Sequence, residues 1–198
     1  MKTKIILSGL AGTALMMFPV QAFSLGGGGS SVSTPNCKTG YVYHSSRKKC
    51  VRKPPVCKRG HVYSKKKRKC VRKYSELFQD SDLKVQGWAL AYAGNYQAAI
   101  EMFKLVSNKK DEEALNGLGY SHRKSGQFDK GINFYKLALS INPNYILARE
   151  YLGEGFVASG RLDLANNQLA EIKNRCGVSC IEYIKLAQVI KTGSSSNW

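Results

Sequence analysis

The chain has 198 residues, 43% of them hydrophobic, and a formal net charge of +18. That length bounds it to one ordinary domain with attachments. The charge excludes a uniformly basic fold: from Cys37 to Lys73 there are fifteen Lys and Arg and no Asp or Glu, whereas from Tyr74 to Trp198 fourteen basic residues nearly balance thirteen acidic ones.

Lys2 and Lys4 precede an apolar or small run from Ile5 to Val20, and Val20-Gln21-Ala22 follows with small residues at both ends. This is the layout of a secretory signal peptide, with cleavage expected after Ala22. The run is about 16 residues, short for a membrane span; an uncleaved anchor is the alternative. Export puts the mature chain in the periplasm or outside the cell. Residues 23–36, with Gly26 to Gly29 in a row, read as a flexible linker. No strand precedes these glycines and no Lys-Ser/Thr pair follows, so a phosphate loop is excluded.

Residues 37–73 form an internal repeat with a period of 20. Cys37, Gly40, Val42, Tyr43, Cys50, Val51, Arg52 and Lys53 recur as Cys57, Gly60, Val62, Tyr63, Cys70, Val71, Arg72 and Lys73. Each unit reads as a β-hairpin, with strands at Tyr41-Val42-Tyr43 and Cys50-Val51. The turns are expected at Ser45-Ser46-Arg47 and Ser64-Lys65-Lys66, and Pro54-Pro55 separates the units. So small a piece needs cross-links, and the repeat pairs Cys37 with Cys50 and Cys57 with Cys70. A zinc site is the competing reading, but the close Cys-x2–4-Cys knuckles are missing, and His44 and His61 do not recur at equivalent positions. The cations Arg47, Lys48, Lys49, Arg52, Lys53, Lys65, Lys66, Lys67, Arg68, Lys69, Arg72 and Lys73 make the block a candidate ligand for an anionic polymer or membrane surface. Nucleic acid would bind by counterion release without specificity. A solubilising arm is the alternative.

Residues 74–192 carry a second repeat, with a period of 34. Ala114, Leu118, Gly119, Gly126, Phe128 and Asp129 return as Ala148, Leu152, Gly153, Gly160, Leu162 and Asp163. An earlier copy, two residues shorter, places Gly87, Gly94, Tyr96, Ile100 and Phe103 ahead of Gly119, Gly126, Phe128, Ile132 and Tyr135. Leu115, Leu118, Gly119 and His122 share one helical face, as do Ile132, Tyr135 and Leu139. Gly126 suits a tight turn, and Pro143 cannot continue a helix.

A period of 34 with Leu118-Gly119, Gly126-x-Phe128, Tyr135, Ala138 and Pro143 resembles the tetratricopeptide repeat, over roughly residues 81–175. The resemblance implies an all-α array of about three helical hairpins. It also implies a protein-binding face lined by the first helix of each hairpin. Carried onto this sequence, that groove is Lys84, Trp88, Tyr92, Asn116, Tyr120, Arg123, Lys124, Glu150 and Glu154, aromatic and basic at one end, acidic at the other, and centred on Trp88, Tyr92, Tyr120 and Arg123.

A last helix is expected from about Cys180 to Lys191, with Ser179 and Glu182 as its capping box and residues 193–198 as a tail. It caps the array. Cys176 and Cys180 read as a disulfide clipping that helix to the last repeat; the alternative is a redox or metal-carrying thiol pair. Gly153-x-Gly155-x-x-Ala158 has the form of a dinucleotide fingerprint but falls inside an expected helix. The reading is therefore an exported scaffold rather than an enzyme, without cofactor or metal, for a protein or peptide ligand. A polyanion- or glycan-binding module with the repeats as platform, or a thiol carrier, are the alternatives.

Overall fold

In the 20-residue units the segments YVYH and HVYS, and KCVR twice, are rich in the β-branched and aromatic residues that favour paired strands. The computed structural model describes residues 37–44, 49–58, 60–72 and 79–193, with only the backbone of His44. The expected signal segment, the linker, residues 194–198 of the tail, the turn Ser45-Ser46-Arg47 and the cations Arg47, Lys48 and Lys73 lie outside the described residues. Hairpin 1 pairs β1 (Tyr41–His44) with β2 (Lys49–Arg52), and hairpin 2 pairs β3 (His61–Ser64) with β4 (Lys69–Arg72). The two share one register: Tyr43 lies opposite Cys50 and Tyr63 opposite Cys70. Disulfides Cys37–Cys50 and Cys57–Cys70 close them, with a Cα–Cα distance of 5.7 Å in each. Two strands alone are marginal in water, and such bonds stabilise them by constraining the unfolded chain. The turn of hairpin 2 differs from expectation. Ser64 ends β3, 3% exposed, and the turn is Lys65–Arg68. Ser64 Oγ accepts the Lys67 amide hydrogen at 3.3 Å, so the serine packs inward and leaves the cations at the tip.

The helices follow the 34-residue period. Hairpins α1 (Asp80–Tyr92)/α2 (Tyr96–Lys104), α3 (Glu112–Lys124)/α4 (Phe128–Ile141) and α5 (Ile146–Ala158)/α6 (Leu162–Cys176) precede a single α7 (Ile181–Thr192). Gly94, Gly126 and Gly160 turn each pair with φ of 79°, 82° and 75°, a conformation that costs a Cβ-bearing residue. The two residues missing from the first copy are absorbed by α2 and its exit loop; α2 has nine residues against fourteen in α4. Asp80 accepts hydrogen bonds from the Ser107 amide and hydroxyl at 2.9 and 2.6 Å, tying the start of α1 to that loop.

The expected helix faces are buried: Leu115, Leu118 and His122 on α3, and Ile132, Tyr135 and Leu139 on α4. Gly119 is small because α4 needs the space. A Cβ there would sit 2.5 Å from Tyr135 Cε1. His122 stacks on Phe134 at 5.3 Å, and desolvation lowers its pKa, so it serves helix packing. Among the described residues no helix is long and apolar enough to cross a membrane.

Both ends of the array are covered. At the C-terminal end α7 packs on α5 and α6, burying Leu186 and Val189. The expected capping box does not form. Cys180 is the N-cap residue, without a side-chain cap bond, and Glu182 is 8% exposed; it turns inward, where it interacts with Glu150 of α5. At the N-terminal end β3 packs on α1. Val62 is fully buried and joins the helical core. The Tyr63 amide donates to Gln86 Oε1 at 3.2 Å and the Lys65 amide to Asp82 Oδ1 at 3.1 Å. Positions 82 and 86 correspond to Ala114 and Leu118 in the next copy and Ala148 and Leu152 in the third. They turn polar only where the neighbour is a strand edge with open amides.

Candidate functional site

The first helices of the three hairpins lie beside one another, and α7 follows α5. This puts the expected groove residues into one region, but not in one environment. Trp88 and Tyr92, one turn apart on α1, stack with ring centroids 5.3 Å apart and are half-buried. Tyr120 meets both edge-on, at 5.6 and 5.9 Å, and Tyr151 continues the series 5.3 Å beyond Tyr120. Burial raises the Tyr92 phenol well above its ordinary pKa and pushes Tyr120 up to about 12. The result is an aromatic ladder running from α1 to α5.

Five of the nine expected groove residues are interior. Asn116, Tyr120, Arg123, Glu150 and Glu154 are 0, 4, 4, 0 and 1% exposed. Arg123 Nη2 lies 2.6 Å from Glu154 Oε2, and Arg123 Nε donates to the Tyr135 hydroxyl at 3.3 Å. The guanidinium also lies 5.6 Å from the Tyr120 and Tyr151 ring centroids. Burial alone would favour the neutral form of Arg123, but Tyr135 and Glu154 outweigh it and raise its pKa. Neither carboxylate oxygen of Glu150 has a hydrogen-bond partner. Desolvation raises the Glu150 pKa well above the ordinary range; Lys185 opposes this, Glu154 and Glu182 add to it, and Arg123 opposes it. The first-helix face therefore closes on itself at α3 and α5, where the ladder and the ion pair take the place of an open floor.

Sequence reasoning missed Tyr151, which occupies the position of Gly117 one repeat earlier. The exchange of glycine for a large aromatic was the available signal. Lys84 is spent on Asp111 and Glu113 at 2.8 and 3.0 Å, so the expected basic end is neutralised. Lys124 stays half-buried, its pKa lowered by desolvation and by Arg123. The solvent-reachable part of the expected set is Trp88, Tyr92, Lys84 and Lys124.

Residues 112–145 match the family model described as Tetratricopeptide repeat. The helical array has the tetratricopeptide fold. Among solved structures it is similar to the type III secretion chaperone SycD of Yersinia enterocolitica, crystallised in complex with a peptide of the translocator YopD. The TM-score is 0.50 at 19% identity, over 60% of this chain and 93% of that one; at that identity the likeness concerns the fold. Two MamA crystal structures match at TM-scores of 0.46 and 0.45, each 24% identical over 49% of this chain, which spans 58% and 54% of their lengths. No curated protein sequence matches the chain.

Outside the tetratricopeptide array, Lys49, Arg52, Lys53, Lys65, Lys66, Lys67, Arg68, Lys69 and Arg72 are all exposed. Five of them, Lys65 to Lys69, are consecutive at the tip of hairpin 2. His61 is half-buried. The four hairpin cysteines are consumed in disulfides, which removes them as zinc ligands. Cys176 and Cys180 are bonded to each other across the α6–α7 turn, where Gly177 takes φ 79°. Their sulfurs and a Glu182 oxygen lie within 4.8 Å of one another, but the bond leaves no thiolate to bind a metal. Gly153-x-Gly155-x-x-Ala158 lies within α5. Gly153 is small because a Cβ there would sit 2.5 Å from Leu186, so the α7 cap explains it.

Proposed function

We propose that this chain is an exported binding scaffold. Its tetratricopeptide array holds a protein or peptide segment, and its basic hairpins contact an anionic polymer or envelope surface. The observation that carries the first part is the Trp88–Tyr92 stack. Two large aromatics of the expected set stack on α1 and stay half-buried beside a face whose interior is already packed, and Lys124 stays half-buried too. Aromatic anchors on a rigid support are the usual source of interface affinity. The fold is one on which a chaperone holds a peptide, and the three disulfides suit an oxidising compartment. The binding centre moves from Tyr120 and Arg123, which are interior, to Trp88 and Tyr92.

The test is a photo-reactive benzoylphenylalanine at position 88 in producing cells. One protein segment should cross-link reproducibly and disappear when Tyr92 is changed to Ala. Undiminished capture by a Trp88→Ala/Tyr92→Ala variant of native helicity would sink this reading. For the basic hairpins, binding to anionic vesicles or heparin should weaken steeply between low and high salt.

A further inference from the structure

The two hairpins are copies of one module, and only one is seated. Hairpin 2 sits on α1 through two features. Val62, at 0% exposure, enters the helical core, and the outward edge of β3 gives the Tyr63 and Lys65 amides to Gln86 and Asp82, side chains one helical turn apart.

Hairpin 1 repeats the valine and the first of these amides; the counterpart of Lys65 lies outside the described residues. Val42 stands at the Val62 position, in the same register. The Lys53 amide donates to the Gly40 carbonyl at 2.8 Å, which makes 40/53 a hydrogen-bonded pair. Alternation along an antiparallel ladder then makes Tyr43/Cys50 a non-hydrogen-bonded pair, with the Tyr43 amide pointing away from β2. This is the orientation of the Tyr63 amide that reaches Gln86.

The seat is missing from hairpin 1. Neither β1 nor β2 packs on a helix as β3 does. Val42 and Cys37 are only half-buried where Val62 and Cys57 are buried. An open strand edge with an apolar residue beside it is a template for another chain. The charge selects the partner. Lys38 ahead of β1 and Lys49, Arg52 and Lys53 on and just after β2 are all exposed, with no acid in the unit. The seated twin shows the matching surface, since α1 begins with Asp80 and Asp82.

We propose that hairpin 1 is a docking module for an acidic α-helix of a partner protein, one that presents a carboxylate and a carboxamide one turn apart beside small apolar residues. The partner helix accepts the Tyr43 amide hydrogen and covers Val42, as α1 does for hairpin 2. This surface is separate from the Trp88–Tyr92 stack.

The probe is a lactam-stapled, alanine-based helical peptide carrying Asp, Leu, Gln and Ala at the spacing of Asp82, Leu83, Gln86 and Ala89, titrated into the full oxidised chain. Saturable binding is expected, weakened at least tenfold when the peptide's Asp and Gln become Ala. Val42→Lys should weaken it equally, and so should Tyr43→Pro, which deletes the edge amide at a position where an edge strand tolerates proline; Tyr43→Ala, which removes the ring and keeps the amide, should not. The control peptide has the same composition with Asp and Gln on opposite faces. Equal binding of this control, or unchanged binding by both Val42→Lys and Tyr43→Pro, would mean that charge alone attracts the peptide, and would overturn the proposal. So would no binding at all. Thermal unfolding of the three variants like the parent chain confirms that the array is intact.

Discussion

Arg123 and Glu154 meet at 2.6 Å with side chains only 3 and 1% exposed, joining α3 to α5 inside the array rather than lining a groove. Removing one partner leaves the other charge buried and unpaired, which costs about 3–5 kcal/mol. Arg123→Met alone should lower the unfolding free energy by that much, read from urea titration as the midpoint times the slope. Replacing both, Arg123→Met with Glu154→Leu, should restore most of the loss, because apolar substitution of a buried pair is often neutral. A single variant as stable as the parent chain would show that water reaches the pair.

Glu150 gives the opposite sign. It is fully buried, both oxygens lack hydrogen-bond partners, and its pKa is raised well above the ordinary value of 4.5, first by desolvation. Arg123 and Glu154 face it from α3 and α5, and Glu182 and Lys185 from α7. A folded state that holds its proton more tightly than the unfolded chain loses stability as pH rises from the ordinary carboxylate range through the folded pKa. Glu150→Gln should therefore stabilise the protein at pH 7–8, match it near pH 4, and flatten the slope between. Urea titrations at several pH values read this directly. An unchanged slope in the variant would show that Glu150 is ionised and solvated.

The array was legible because a 34-residue period constrains every position twice. Leu118 and Leu152 report the same packing, and Gly126 and Gly160 the same turn. The groove was not legible for a related reason. Periodicity says which residues share a face, but not how closely neighbouring first helices approach. That distance is set by single departures from the repeat, such as Tyr151 where the preceding copy has Gly117, and such departures carry no periodic signal. The capping box failed similarly, since Glu182 meets α5 rather than the start of its own helix. The seat of hairpin 2 was written in Asp82 and Gln86, polar where their counterparts are Ala and Leu.

Two glycines separate packing from backbone strain. Gly119→Ala would put a methyl 2.5 Å from Tyr135 Cε1, and overpacking of this kind costs about 1–3 kcal/mol. Gly126→Ala meets nothing within 4 Å but must hold φ near 82°, which costs about 1–2 kcal/mol. Adding Tyr135→Phe to the second variant should change nothing beyond its own effect. Adding Tyr135→Leu to the first should recover part of the loss, because the ring is what the methyl strikes. Chemical denaturation of the four variants checks both statements.

The N-terminal cap yields the last expectation. Solenoids need their end faces covered, since each hairpin leaves an apolar surface that only a neighbour can bury. Here the cover is Val62 and the β3 edge, held in shape by Cys57–Cys70. Val62→Lys should unseat hairpin 2 and expose Leu83 and its surroundings on α1, at a cost of at least about 2 kcal/mol from lost apolar burial. Asp82→Ala takes that acceptor from the Lys65 amide; Lys65 is exposed, so water replaces it and the cost is the net worth of one hydrogen bond, about 0.5–1.5 kcal/mol. Hydrogen exchange distinguishes a cap from an arm resting on the surface. If hairpin 2 is a cap, Val62→Lys should speed exchange in α1 and α2 most and in α5 and α6 least, because each repeat contacts mainly its neighbours. The matching change in hairpin 1, Val42→Lys, should leave exchange throughout the helices at the parent rate. Equal acceleration along the whole array by Val62→Lys would mean that the repeats unfold as one unit and the cap has no local role.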